Sequence, residues 1–400
     1  MRNIIGKIEP LIPVGIIRNL RRLKQFSNSF FDRLTLYFFS QTWRQTDEKR
    51  AKNDLLNKKN KTPQLSERPM VNIETTDVCN LNCVMCETWL STRVKGFMSM
   101  DDFVSNLNRI QTLGQKSIAF HTIGDPLVDK NLPEQLRLCY EKGIEVDLRT
   151  NGILLHRFFN ALLKYPPARL RLSIDGATKE TYEKIRVNGK FDQLLSNLKE
   201  LKELFDRHHI LCELGVDMVV CDENIHEIPL FYQEFHQFFK LNHMHFNVIT
   251  SLSGDRGSFF LKEKMAVFSR PVPPCKMPFE SLYILHDNKV SVCCRDYHGE
   301  IIVGDLTSET IEDVWHGDKI NALRQAHLNA ESEPEKLPRA CRECYASSDF
   351  STMLDIFIHR LIQENIKKFG THHLPIENIA NVIKNYIEES ASKFHAEITF

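Results

Sequence analysis

Residues 70–86 read MVNIETTDVCNLNCVMC. Met70 to Thr76 is a short β-rich run, and the loop after it carries Cys79, Cys83 and Cys86 at C-x3-C-x2-C spacing. Three thiolates on so short a loop converge on one point. They leave one iron of a four-iron cluster without a protein ligand, and an open position is what binding and cleaving a cofactor requires, whereas a fully ligated cluster only passes electrons. A zinc knuckle is the bland alternative, but no fourth Cys or His lies at finger spacing nearby.

Outward from this run, β-rich stretches recur at Ser117 to Thr122, Glu145 to Thr150, Arg169 to Asp175, Cys212 to Val220 and His243 to Thr250. Between them, helical periodicity covers Asp101 to Leu113, where Phe103, Leu107 and Ile110 share a face, then Leu132 to Glu141, Leu155 to Lys164, Phe191 to Phe205 and Ile225 to Phe239. Six strands alternating with helices predict an α/β fold with a parallel sheet covered by helices, whose site is built by loops at the carboxyl ends of the strands. After Thr250 the alternation stops. Prolines 271, 273, 274 and 278 surround Cys275, and a hairpin pattern follows from Ser281 to His286 and from Lys289 to Cys293. Cys341 and Cys344 close the region as a C-x2-C pair, and two helical stretches (Leu354 to Phe369, Ile376 to Glu389) form the tail.

Cys275, Cys293, Cys341 and Cys344 offer four thiolates, enough to fill every corner of a second four-iron cluster and limit it to electron transfer or structure. Structural zinc suits the same set. Cys294 could replace Cys293, since neighbours on a strand point to opposite faces and normally only one serves. Cys139, Cys212 and Cys221 lie in apolar periodic segments and read as small core residues.

The run Asp77 to Cys86 resembles the signature of the radical S-adenosylmethionine superfamily, and the likeness extends beyond the cysteines. The family ends its second strand in a Gly-Glu-Pro-like turn that holds the amino group of the methionine moiety; Gly124-Asp125-Pro126 stands here, with Asp125 one methylene shorter. Polar residues expected near the ribose and carboxylate match Asn151, Ser173 and Asp175, and Arg186 resembles the arginine that pairs with the carboxylate. Met85 replaces the aromatic residue common before the third cysteine, a contact made largely by backbone. Each neighbour also has a plainer reading, as a turn, a cap or a solvated helix residue. Residues 275–344 resemble a SPASM or shorter twitch domain with one auxiliary cluster. The resemblance implies a partial (β/α)6 barrel, two [4Fe-4S] clusters and S-adenosylmethionine, split to a 5′-deoxyadenosyl radical that takes hydrogen from a C–H bond. Oxidation of a sugar or aminocyclitol alcohol is expected, with Asp296 and His298 as candidate proton acceptors. A peptide-modifying maturase and a non-enzymatic metal-binding protein are the alternatives. The first is disfavoured because residues 1–62 lack a winged-helix pattern.

The expected division is a basic extension over 1–68, a radical barrel over 69–255, an auxiliary module over 256–350 and helices over 351–400. The 400 residues are 42% apolar and 26% charged with zero formal net charge, which excludes disordered and fibrous classes. The charge is uneven: residues 1–62 hold fourteen Lys or Arg against five Asp or Glu, and the rest compensates. Residues 1–45 read as basic amphipathic helix, suited equally to an anionic membrane surface or to the protein's own surface. No run approaches the roughly 18 apolar residues of a membrane span, and no signal-peptide pattern precedes the domain, so a cytoplasmic protein is expected. Its partners would be a small polyol or a peptide and an electron donor such as flavodoxin or ferredoxin, with no nucleic acid.

Overall fold

The computed structural model describes residues 65–248, 275–330, 332–342, 349–371, 374 and 377–385. The basic segment 1–45, Cys344 and the end of the second tail helix lie outside the described residues.

The six expected strands are present as β1 (Met70–Ile73), β2 (Ser117–Phe120), β3 (Glu145–Thr150), β4 (Arg169–Ser173), β5 (Glu213–Val220) and β6 (Met244–Val248). Every neighbouring pair among them is parallel. Between them run α1 (Met100–Thr112), α2 (Leu132–Glu141), α3 (Phe159–Lys164), α4 (Lys179–Ile185), α5 (Phe191–Arg207) and α6 (Ile228–Phe235). The stretch read as one helix from Leu155 is a short 3-10 turn followed by α3, and Ile225 likewise opens on a 3-10 turn before α6.

Local chemistry sets the helix bounds. Ser99 caps α1 by accepting from the Asp102 N–H at 3.1 Å, and Gly114 follows in the left-handed region at φ 67°. Phe103, Leu107 and Ile110 are fully buried, as are Leu194, Leu198 and Leu201 of α5. Each such side chain stabilises the fold by about 1.5–3 kcal/mol. The strands show the two-residue period sharply. On β4, Leu170 and Leu172 are sealed in the same apolar cluster as these helix residues, while Arg169, Arg171 and Ser173 point the other way and stay partly exposed. One face of the sheet is therefore core and the other is polar.

The auxiliary hairpin does not form a separate layer. β7 (Ser281–Ile284) pairs in parallel with β1, and β8 (Lys289–Ser291) and β9 (Ile302–Asp305) continue it antiparallel, giving the described order β6-β5-β4-β3-β2-β1-β7-β8-β9. The barrel is not closed. At its β6 edge the helix α7 (Asp349–Phe369) supplies partners for open backbone groups: Asp355 accepts from the Phe246 N–H at 2.7 Å, and the His359 ring lies 2.7 Å from the Met244 carbonyl. Among the described residues no helix is long and apolar enough to cross a membrane.

Candidate active site

The cysteine loop is stitched down on both sides. The Thr76 hydroxyl accepts from the Val78 N–H at 3.0 Å, and the Asp125 N–H donates to the Val78 carbonyl at 3.0 Å. Asn82 and Val84 donate to the carbonyls of Val187 and Ile185, both at 2.9 Å, which binds the loop to the end of α4. The Leu81 N–H points at Cys79 Sγ (3.4 Å), an Arg186 Nη1 at Cys83 Sγ (3.7 Å), and Cys86 Sγ lies 2.9 Å from the Thr88 hydroxyl. Donors aimed at sulfur are what cluster thiolates use for tuning.

Burial pushes the thiols of Cys79 and Cys83 up to about 12, Asp125 adding to the first and Arg186 opposing the second. Bound iron reverses this, because a coordinated thiol is deprotonated outright. The donor set, three thiols with sulfur-directed donors, fits an iron–sulfur cluster. Among the described residues no three His, Cys, Asp or Glu side chains close on a point the size of one ion, and thiolates sharing several irons have no need to.

The other expected residues gather at the same end of the strands. Gly124 is forced by close approach, since a Cβ there would sit 2.2 Å from the Thr76 carbonyl oxygen. Pro126 starts the short turn after it. The buried Asp125 carboxylate accepts from the Leu127 N–H (2.9 Å), the Thr150 hydroxyl (2.9 Å) and the Asn151 N–H (2.7 Å), so it ties the tip of β2 to that of β3. Burial raises its pKa while these donors hold it down. Asn151 in turn donates to Asn80 within the cysteine loop at 2.8 Å. Ser173 ends β4 in register with Asp217 of β5. Arg186 pairs with the fully buried Asp175 at 2.5 Å, and Asp175 also accepts from the Val219 N–H at 2.7 Å. Burial alone would lower the pKa of Arg186; Asp175 and Cys83 hold it above its ordinary value instead. Met85 is half-buried against the core.

Two positioning residues escaped the sequence reading. Glu227 accepts from the Ala177 N–H (2.7 Å) and from the hydroxyls of Thr178 and Thr181 (2.6 Å each), fixing the start of α4 and hence Arg186 at its end. Asn224 donates to the carbonyls of Asp175 (3.0 Å) and Val219 (2.8 Å). Only proximity in space links them to the β4–α4 region, since Glu227 and Asn224 sit some fifty residues along the chain from Ala177 and Asp175.

In the second group, β8 stops at Ser291, so Cys293 and Cys294 lie in a turn beyond the strand. The expected assignment to opposite faces does not apply there. The two thiols share a hydrogen bond, which pushes Cys293 up and Cys294 down, and His121 at the end of β2 lowers Cys294 further. Cys275 lies close enough to act on Cys293. Its short helix α8 (Met277–Glu280) is held by Arg324, whose Nε donates to the Pro278 carbonyl at 2.9 Å. Cys341 is carried by Arg339–Arg342, drawn to the same turn where Glu300 accepts from the Ala340 N–H at 3.3 Å.

Asp296 is buried and fully engaged, accepting from the Ser291 hydroxyl (2.8 Å) and the N–H groups of Glu300 (2.6 Å) and Ile301 (3.0 Å). Its carboxylate holds the turn closed. His298 Nδ1 lies 3.3 Å from the Thr92 hydroxyl. Tyr297 between them feels both cysteine groups: burial raises its pKa, with Cys86 and Cys294 adding to the rise and Arg295 opposing it.

Residues 73–234 match the model of the radical SAM superfamily, and residues 275–345 match that of an iron-sulfur cluster-binding domain, SPASM. The AdoMet-dependent heme synthase of Methanosarcina barkeri is 32% identical over 133 residues, 32% of this chain and 38% of the relative. The GTP 3′,8-cyclase of Petrotoga mobilis is 29% identical over 138 residues, 33% of this chain and 42% of the relative. The match thus spans about two fifths of the length of these curated relatives. Streptococcus suis SuiB bound to S-adenosylmethionine shares the fold with a TM-score of 0.51 at 14% identity, over 73% of this chain and 80% of that one.

Proposed function

From a chain that carries a radical SAM domain and, after it, a SPASM iron–sulfur domain, we propose an oxidoreductase of the dehydrogenase type that acts on an alcohol carbon of a sugar or aminocyclitol. When bound, the three-thiolate cluster supplies one electron that splits S-adenosylmethionine into methionine and a 5′-deoxyadenosyl radical, which removes one hydrogen atom from the substrate. The balance of a two-electron oxidation then requires one proton to leave for a base and one electron to leave for an acceptor.

The observation that carries this reading is the nearness of the two cysteine groups. The stretch just after Cys86 touches the turn just after Cys294: the Ser91 hydroxyl donates to the Tyr297 carbonyl at 2.6 Å, and the Thr92 hydroxyl lies 3.3 Å from His298 Nδ1. An acceptor cluster held by Cys275, Cys293 and Cys341, with Cys344 outside the described residues as the proposed fourth ligand, would therefore stand near the first cysteine loop. In this reading Asp125, Asn151, Ser173 and the Asp175–Arg186 pair hold the cofactor, with Gly124 and Pro126 shaping the turn and Met85 packing alongside. With Asp296 engaged in its turn, His298 is the proton acceptor of the two candidates.

The test incubates reduced, reconstituted protein and S-adenosylmethionine with deuterated polyols and aminocyclitols, beside short peptides. The expected result is one 5′-deoxyadenosine carrying substrate deuterium per molecule of ketone formed. Deuterium transfer only from peptides, with a cross-linked product, would replace this reading by a maturase.

A further inference from the structure

The polar face of the sheet holds an unbalanced group of charges. Arg149 of β3 and Arg171 of β4 are direct register partners, and like charges side by side across neighbouring strands repel. The nearest carboxylates do not quench them. Asp147 Oδ2 is taken by Arg169 Nε at 3.2 Å, with hydrogen-bond geometry. Arg149 Nε stands 3.7 Å from Asp147 Oδ1, while Arg171 lies 3.8 Å from Asp147 and 3.8 Å from Asp217. Those separations are ion-pair contacts beyond hydrogen-bond length. The Nε atoms of Arg149 and Arg171 are both buried without an acceptor, as is Asp147 Oδ1 without a donor. A buried donor left unmade costs about 1–3 kcal/mol, and here two stand side by side on adjacent strands.

We propose that Arg149 and Arg171 form a fork for an anionic group, a phosphate or a carboxylate, on the substrate of the enzyme. Paired guanidiniums present planar donor sets that match such an anion bidentately. The placement also sets the size of the molecule. Arg149 precedes Asn151 by two residues on β3 and Arg171 precedes Ser173 by two on β4, so the fork lies one pleat, about 7 Å, deeper than the cofactor residues at the strand ends. A small polyol spans that gap with its anionic group on the arginines and a carbon at the level of the strand ends. Tyr283, which lies in register with Asn72 and feels the charge of Arg149, lines the same face. The inference deepens the proposed function and rests on it for the direction from which hydrogen is taken, though not for the anion site itself.

The experiment uses the full chain, reconstituted and saturated with S-adenosylmethionine, and reads its melting temperature and calorimetric binding with sodium phosphate and with sodium acetate. Ionic strength is matched throughout with sodium chloride. The parent should be stabilised by at least one of the two anions beyond the chloride control, phosphate alone identifying a phosphorylated substrate and acetate as well a carboxylate. Arg149→Gln and Arg171→Gln should each weaken that binding roughly tenfold or more, and Asp147→Asn, which removes the competing carboxylate, should strengthen it. No response of the parent to either anion, or an equal response in parent and both arginine variants, would overturn the fork. Anion binding with no substrate-dependent 5′-deoxyadenosine would leave the fork standing and remove the dehydrogenase reading. Turnover of a neutral polyol that is indifferent to both arginine substitutions would do the reverse.

Discussion

At the level of single residues, the cysteine loop and the strand-end residues were legible because each belongs to a short local motif. The groups that position them were not. Arg186 and Asp175 were both visible, but that they pair with each other, and that Glu227 fixes the helix leading to Arg186, emerges only from the folded chain. The Arg186–Asp175 pair is a charge pair almost without solvent, the two side chains being 11% and 0% exposed. Removing one partner of such a pair typically costs about 3–5 kcal/mol because the other charge is left buried. Arg186→Met should therefore lower unfolding free energy in urea by that amount, and Arg186→Met combined with Asp175→Asn should recover part of it. A loss under about 1 kcal/mol for the single variant, the range of exposed pairs, would show that solvent reaches the pair. Asp296 teaches the opposite lesson: its position after Cys293 suggested a proton acceptor, yet three local donors occupy it.

Elements were read well where periodicity and caps agree. β3 and α2 match their expected bounds residue for residue, α1 is shifted one residue earlier at both ends, and β5 starts one residue later. Helix α9 (Ile311–His316) opens with a full capping box from Thr310 and Asp313, and α10 (Asp318–Leu328) follows it. Within α10, His327 is 2% exposed and burial lowers its pKa to about 4 from an ordinary 6.5. A histidine kept neutral by burial binds its proton more weakly folded than unfolded. Its contribution is therefore complete above pH 6.5 and is lost as pH falls toward 4. The loss amounts to at most about 3 kcal/mol at 1.36 kcal/mol per unit. Urea midpoints of the parent should fall over that interval, and His327→Phe should flatten the dependence. An unchanged slope in the variant would assign the acid sensitivity elsewhere.

For the whole molecule, the decisive feature is that β7 joins the sheet beside β1, so the auxiliary hairpin and the barrel share one hydrogen-bonded surface. Iron content gives the first check: about eight irons per reconstituted chain and about four after changing Cys79, Cys83 and Cys86 to Ala, as expected for two four-iron clusters. Zinc in place of iron would sink the radical mechanism. Because the clusters bind only the folded chain, stripping iron with a chelator should lower the melting temperature of the barrel and the hairpin together in one transition. Two separate transitions would mean that the β1–β7 ladder does not couple them. The sequence alone determined the parallel α/β alternation and the spacing of the two cysteine groups, since these are written in local spacing and periodicity, while the barrel came only from the resemblance the motifs carry. Only the tertiary structure decided that the second module extends the first module's sheet and that Cys293 and Cys294 meet in a turn. It alone also placed Arg149 beside Arg171 with the Nε of each lacking an acceptor. Those outcomes depend on strand register and on where β8 stops, quantities fixed by packing between segments far apart in the chain.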